Sequence, residues 1–149
     1  MKLELEIKID ELEIKIYEFV TEIHGLRDMA DLPSISDRIG SPALLMVYPE
    51  DNVFCTDDVW DFFMESPFIT ATVGKGIPDH LIDFFDLKIK EEDAEGYAEK
   101  LFKDKTRRQV DLITACFVAA RKEASEEELL RLESETFYRL MADKNGGAV

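Results

Sequence analysis

One compact segment, residues 67–94, constrains the fold of this chain more than any other part of the sequence. It reads PFITATVGKGIPDHLIDFFDLKIKEEDA: an apolar strand, a glycine turn, a short amphipathic helix, a second strand and an acidic helix start. This order predicts strand 68–73, helix 78–86 and strand 87–89, joined as one β-α-β unit. Glycines and polar groups gather at the carboxyl end of the first strand, which is the edge where ligands bind in open α/β folds.

The segments before this unit extend it into an α/β layer architecture. Alternating aliphatic residues from Leu3 to Ile16, interrupted by Asp10-Glu11, predict an N-terminal β-hairpin, with a charged helix as the competing interpretation. Apolar residues spaced three and four apart predict a helix from Tyr17 to about Asp31. The apolar run ALLMVY at 43–48, between two prolines, predicts a strand covered on both faces, as in a parallel sheet.

Helices dominate the rest of the predicted fold. Thr56, Asp57 and Asp58 are placed to cap a short helix through Met64. Three C-terminal helices are predicted: one over 94–102, one over 110–120, and one opening at the capping box of Ser125 and Glu128. Residues 143–149 are expected to fray. At 149 residues the chain is expected to form a single domain with its own apolar core.

Charge and composition bear on the partners of the protein. The chain has 33 acidic and 18 basic residues, a net charge of −15, which disfavours nucleic acid and anionic membrane surfaces as partners. No leader peptide or apolar run of membrane-spanning length is recognisable. The cysteines, Cys55 and Cys116, are far apart and form no metal-binding pair, so we expect reduced, half-buried thiols in a cytoplasmic protein.

The glycine turn Gly74-Lys75-Gly76 is the best candidate binding site in the sequence. Backbone N–H groups at a strand-to-helix turn can hold an anion or a developing oxyanion, and Lys75 adds positive charge. The alternative is a tight turn that needs glycine for its backbone conformation, with Lys75 in solvent. The pattern is neither a dinucleotide-binding nor a Walker motif.

Three other groups of residues carry weaker predictions. Asp79, Asp83 and Asp86 share a helix face beside His80, which suits acid–base work or, alternatively, a solvated acidic face. Asp57 and Asp58 form a carboxylate pair or a helix cap. The run from Lys100 to Arg108 is the one basic island, and it either receives phosphate or balances a helix end. His24 and His80 are too far apart in sequence to indicate a metal site, and none is predicted.

The middle of the chain resembles the crotonase superfamily, the enoyl-CoA hydratases and isomerases. The resemblance lies in the strand ALLMVY, the phenylalanine turn at Phe54-Cys55, the strand ending at Gly74, and the aspartate-led strand Asp86-Leu87-Lys88-Ile89. It implies a small crotonase-like β-sheet core and homo-oligomers. It also implies an acyl-CoA thioester as substrate, with no other cofactor, held by amides near Cys55 and at Gly74, Lys75 and Gly76. His80 would be the catalytic acid or base, and Lys103, Arg107 and Arg108 would contact the phosphates of coenzyme A.

The sequence also departs from the family pattern. Thr56-Asp57-Asp58 stands where the family has a small residue and a glycine, and a carboxylate there opposes an oxyanion. Pro78 removes a backbone donor after the second strand. Two functions therefore remain as hypotheses: a degenerate, non-catalytic protein that acts through protein contacts or self-assembly, which these departures favour, and an acyl-CoA-binding enzyme of the hydratase, isomerase or lyase type.

Overall fold

A computed structural model describes residues 2–54, 59–78, 82 and 85–123, and shows an α/β protein built on a six-stranded mixed sheet. The strands lie side by side in chain order: β1 (Leu3–Ile9), β2 (Leu12–Tyr17), β3 (Val20–Asp28), β4 (Leu44–Phe54), β5 (Ile69–Val73) and β6 (Leu87–Ile89). The first three are antiparallel neighbours, whereas β3 to β6 run parallel. The predicted α/β class is confirmed at this level.

The predicted N-terminal hairpin is confirmed. Strand β1 pairs antiparallel with β2, and Ile9 lies opposite Leu12 across the two-residue turn Asp10-Glu11. Asp10 takes a positive φ of 54°, a conformation that aspartate tolerates better than most residues do. The apolar alternation that predicted this hairpin places Leu12 and Ile14 in the core. Packing on one face of the sheet therefore fixes the register of the hairpin.

The helix predicted from Tyr17 to Asp31 is wrong, because residues 20–28 form strand β3. The register of β3 against β4 shifts between His24 and Leu26, at Gly25, which has a φ of +79°. The extra residue brings Leu26 to the same side of the sheet as Ile23, three positions earlier. A bulged strand therefore imitates the three-residue apolar spacing of a helix.

Strand β4 is covered on both faces, as its apolar sequence predicts. Leu45 and Val47 belong to one apolar cluster, whereas Leu44 and Met46 belong to the other. The strand does not end at Pro49, however, but continues to Phe54. Pro49 lies beyond Val47, where the pairing of β4 with β5 ends, and opposite Leu26, where the register of β3 against β4 shifts. Proline is tolerated at such irregular positions of a sheet.

Strands β5 and β6 confirm the two strands of the predicted β-α-β unit. All five residues of β5 are buried, and β6 pairs parallel to it from Ala71 to Val73. The predicted helix 78–86 falls largely outside the described residues. In its described part, the Phe85 N–H donates to the Ile82 carbonyl at 3.2 Å, which is a single turn.

Two apolar clusters cover the two faces of the sheet. On one face, the short helices α1 (Asp31–Ser34) and α2 (Trp60–Glu65) flank a cluster that includes the fully buried Phe63. On the other, Phe102 and Val110 pack over β4 and β5. These two residues come from α4 (Tyr97–Phe102) and from α5, which begins at residue 107.

The C-terminal helices are confirmed only in part. The predicted helix 94–102 is two helices, α3 (Glu91–Ala94) and α4, because Gly96 between them has a φ of +79°. Residues 107–118 are helical at the end of a compact unit that spans Met1–Val118. A second unit spans Ala119–Val149, of which the structure describes residues 119–123, also helical. The third predicted helix and the tail 143–149 lie outside the described residues.

Candidate functional site

The predicted glycine turn follows β5 directly, as the sequence indicates. Gly74 has a φ of +84°, which L-residues rarely adopt, so the turn does require glycine at this position. The Gly74 N–H donates to the carbonyl oxygen of Ile89 in β6 at 2.9 Å. This amide therefore serves the sheet and is not directed at a ligand. The Lys75 side chain is exposed.

Gly76 lies against the backbone of β4. A Cβ added to Gly76 would overlap the Glu50 carbonyl oxygen and would lie 2.9 Å from the Pro49 carbonyl oxygen. The Gly76 carbonyl oxygen also accepts the Val53 N–H at 3.3 Å. The turn after β5 is therefore adjacent to the end of β4, two residues before Cys55. The atoms of β4 nearest to this added Cβ include the carbonyl oxygens of Pro49 and Glu50, which are hydrogen-bond acceptors.

Several predicted site residues lie outside the described residues: Cys55, Asp57, Asp58, Asp79, His80 and Asp83. The acidic helix face can be assessed only at Asp86. Its Oδ2 accepts the Thr70 N–H at 3.0 Å, and its own N–H donates to the Thr70 hydroxyl at 3.2 Å. Asp86 thus connects β6 to β5, which is a structural role.

The basic island is exposed, and its cations have acidic neighbours. Lys103 lines a cleft of about 690 Å³ whose apolar floor includes Phe19 and Phe102. The Arg107 guanidinium lies 5.7 Å from the centre of the Phe19 ring, and its Nε is 3.2 Å from Asp111 Oδ1. Arg108 is also exposed. The described charged residues that line this cleft are Lys2, Lys103, Lys105, Glu4, Glu18, Glu99 and Asp104. Carboxylates balance the lysines, so the cleft is not a strongly cationic phosphate site.

A second cluster, which the sequence did not predict, consists of Glu22, His24 and Tyr48. Glu22 and His24 are alternate residues of β3, so their side chains share one face of the sheet. His24 Nε2 lies 2.8 Å from Glu22 Oε1. Tyr48 lies opposite His24 in the parallel register, and the two rings stack with centroids 4.1 Å apart and an interplanar angle of 13°. The predicted helix would not have placed Glu22 and His24 side by side.

The electrostatics of this cluster favour a neutral phenol. Burial, together with the nearby Glu22 carboxylate and Tyr17, raises the pKa of Tyr48 well above its ordinary value. Burial and the carboxylates of Glu22 and Glu6 also raise the pKa of Tyr17. Both tyrosines line a cleft of about 480 Å³. The described acidic residues that line the same cleft are Glu22, Glu91, Glu95 and Glu99. Such a cleft repels an anionic ligand such as a coenzyme A phosphate.

In the part of the chain that the structure describes, no three histidine, cysteine or acidic side chains converge as metal ligands. None of its helices combines the length and the apolar character needed to cross a bilayer. Cys116 is an exposed free thiol, so the prediction of a half-buried thiol is wrong at that position.

Comparison with known proteins adds no family assignment. No protein-family model matches the chain, and a search of curated proteins finds no significant relative.

Proposed function

We propose that this chain is a degenerate, non-catalytic crotonase-like protein that acts through self-assembly. The proposal rests first on the order of the elements along the chain. An N-terminal hairpin precedes parallel strands that end at Phe54, Val73 and Ile89, and these strands carry the sequence resemblance to crotonases. The fold class alone does not define an activity, which depends instead on the residues that follow β4 and β5.

One observation carries the non-catalytic part of the proposal. In the family pattern, an amide in the glycine-rich turn stabilises the thioester oxyanion, whereas here the Gly74 N–H already donates to Ile89. The carbonyl oxygens of Pro49 and Glu50 lie close to Gly76, and oxygen acceptors repel a developing oxyanion. The sequence adds Asp57 and Asp58 after Cys55. Together these features oppose charge stabilisation at the position where the family reaction needs it.

One feature supports self-assembly in particular. The outer strand β1 exposes apolar side chains, with Leu3 at 40% and Leu5 at 51% of their full accessibility. Exposed apolar residues on an edge strand favour pairing with another chain, because the strand also presents unpaired backbone groups. A homo-oligomer would remove both from water.

The alternative is an acyl-CoA-binding enzyme of the hydratase, isomerase or lyase type. It is supported by the hydrogen bond from the Val53 N–H to the Gly76 carbonyl oxygen, which brings the end of β4 beside the turn after β5. In this hypothesis the amides near Cys55, Lys75 and Gly76 hold the thioester oxygen. His80 is the acid or base, and Lys103, Arg107 and Arg108 contact the coenzyme A phosphates.

Two measurements on the wild-type protein separate the hypotheses. Sedimentation velocity over a hundredfold range of protein concentration should show concentration-dependent self-association. Thermal melts with millimolar butyryl-CoA, with free coenzyme A as the control, should show no shift. A ligand present at 100 times its Kd would stabilise the native state by about 2.7 kcal/mol, a readily measured effect. A shift that His80→Ala or Lys103→Ala reduces would overturn the proposal in favour of the enzyme.

A further inference from the structure

Strand β1 lies at the end of the sheet, and no strand of the described residues pairs with its outer side. Seven residues, Leu3–Ile9, form this edge. Ile7 and Ile9 are partly buried against one apolar cluster, whereas Leu5 is exposed. Long edge strands with exposed apolar residues are normally covered or disrupted by bulges, prolines or inward-pointing charges. The only irregularity here is the register shift between Leu3 and Leu5, which leaves the edge regular from Leu5 to Ile9.

The hairpin determines which backbone groups of β1 point outward. Ile9 and Leu12 flank a two-residue turn, and such flanking residues exchange the first pair of hydrogen bonds of the ladder. Because the backbone groups of successive residues point to opposite sides of an antiparallel strand, the N–H and C=O groups of Glu6 and Lys8 face away from β2. A partner strand added to this edge would therefore exchange hydrogen bonds with Glu6 and Lys8.

The charges of β1 select one register for a second copy of the same strand. If two β1 strands paired antiparallel with Glu6 or Lys8 on the two-fold axis, identical charges would lie directly opposite each other. If Ile7 lies on the axis, Glu6 of each copy faces Lys8 of the other. On the opposite face, Ile7 then meets Ile7 and Leu5 meets Ile9. Every cross-strand pair from Leu5 to Ile9 is complementary in this register.

We infer that β1 pairs antiparallel with β1 of a second copy, with a two-fold axis at Ile7, and so joins two six-stranded sheets into one. This inference rests on the proposed self-assembly and specifies its interface. The axis gives an isologous contact, which closes after two copies and does not propagate into a fibre. The local Glu–Lys pairs offset, at this edge, the mutual repulsion of two chains with a net charge of −15 each.

Disulfide cross-linking tests the register. In a Cys55→Ser and Cys116→Ser background, Ile7→Cys would place two thiols at a pair whose Cα atoms are about 4.5 Å apart, within disulfide range. Leu5→Cys is the matched control, because the two copies of position 5 would be about 13 Å apart along the strands. Non-reducing electrophoresis should show a covalent dimer for Ile7→Cys and a monomer for Leu5→Cys. Cross-linking at position 5 instead, or at neither position, would overturn the inference.

Charge reversal provides a second test that needs no new thiol. Glu6→Lys and Lys8→Glu each place like charges opposite each other twice in the dimer, so each should weaken association about tenfold. The double variant restores both opposite-charge pairs and should recover association. Each variant also alters contacts with β2, including the 3.6 Å Lys8–Glu13 ion pair, so urea denaturation would report any loss of the fold itself.

The outcomes for the two proposals can be told apart. A wild-type protein that remains monomeric throughout sedimentation contradicts both the self-assembly and the interface. If the wild type is an oligomer, but Ile7→Cys does not cross-link and charge reversal does not weaken association, self-assembly is supported and the interface lies elsewhere.

Discussion

Asp86 and Thr70 hold β6 against β5 through a reciprocal pair of hydrogen bonds. The Thr70 N–H donates to Asp86 Oδ2 at 3.0 Å, and the Asp86 N–H donates to the Thr70 hydroxyl at 3.2 Å. The Thr70 side chain is fully buried. Asp86 immediately precedes β6, a strand of only three residues that can form few ladder hydrogen bonds. Asp86 thus compensates for the shortness of β6.

Replacing Asp86 should therefore lower the stability of the protein. We expect Asp86→Ala to reduce the free energy of unfolding by about 1–3 kcal/mol, because the Thr70 N–H loses its acceptor in a buried environment. The exposed Asp93 in α3 is the control, and Asp93→Ala should change stability by no more than about 0.5 kcal/mol. Urea denaturation monitored by circular dichroism gives both values. Equal effects of the two substitutions would contradict the structural role of Asp86.

Gly25 and Gly96 provide a matched pair for separating steric overlap from backbone strain. Both have a φ of +79°, but a Cβ at Gly25 would overlap the Glu11 carbonyl oxygen, whereas a Cβ at Gly96 meets nothing within 4 Å. Gly96→Ala should lower the free energy of unfolding only by the penalty for an L-residue in the left-handed conformation, about 1–2 kcal/mol. Gly25→Ala should lower the free energy of unfolding by clearly more, because the β1–β2 turn at Glu11 and strand β3 must move apart. A larger loss for Gly96→Ala in chemical denaturation would contradict this difference.

The glycine turn permits a similar comparison. Gly74 has a φ of +84° and open space around its missing side chain, whereas Gly76 lies against the Pro49 and Glu50 carbonyl oxygens. Gly74→Ala should lower the free energy of unfolding by about 1–2 kcal/mol. Gly76→Ala should lower it further and broaden the thermal transition, because the end of β4 is displaced. If Gly76→Ala is the milder substitution, the close approach of Gly76 to the backbone of β4 is wrong.

Tyr48 should make the protein sensitive to alkali. Its pKa is raised on folding by burial and by Glu22, so the folded state holds the phenolic proton more tightly than the unfolded chain does. The resulting stabilisation is fully present below the unfolded tyrosine pKa of about 10, and is lost as the pH rises from there towards the folded value. Tyr48→Phe should flatten this alkaline loss in urea titrations between pH 9 and about 11. An unchanged slope would exclude Tyr48 as its source.

Most of the sheet follows from the sequence because local patterns determine most of its strands. Period-two alternation identified the hairpin, the all-apolar run at 43–48 identified β4 as a buried strand, and the apolar segment before the glycine turn identified β5. Strand β3 was missed because the bulge at Gly25 gives Ile23 and Leu26 a helical spacing. A bulge is fixed by contacts with β2 and β4, and single-residue periodicity does not contain that information.

The candidate site was less predictable than the sheet. The glycine turn was located correctly, and so was its need for a positive φ at Gly74. That the Gly74 N–H donates to Ile89 depends on the position of β6, which pairs through the fold and not through sequence neighbours. The cluster of Glu22, His24 and Tyr48 was missed for the same reason as β3: alternation places Glu22 beside His24 only in a strand.

The agreement between strand order and chain order has a consequence for synthesis on the ribosome. Each strand from β2 onward pairs with the strand made just before it, so a growing chain never waits for a distant segment before it can extend the sheet. The chain therefore loses the entropy of loop closure for one connection at a time. The unpaired edge on the growing side moves with every added strand until β6. The edge at β1, in contrast, is unpaired from the time the first hairpin forms until the sheet is complete.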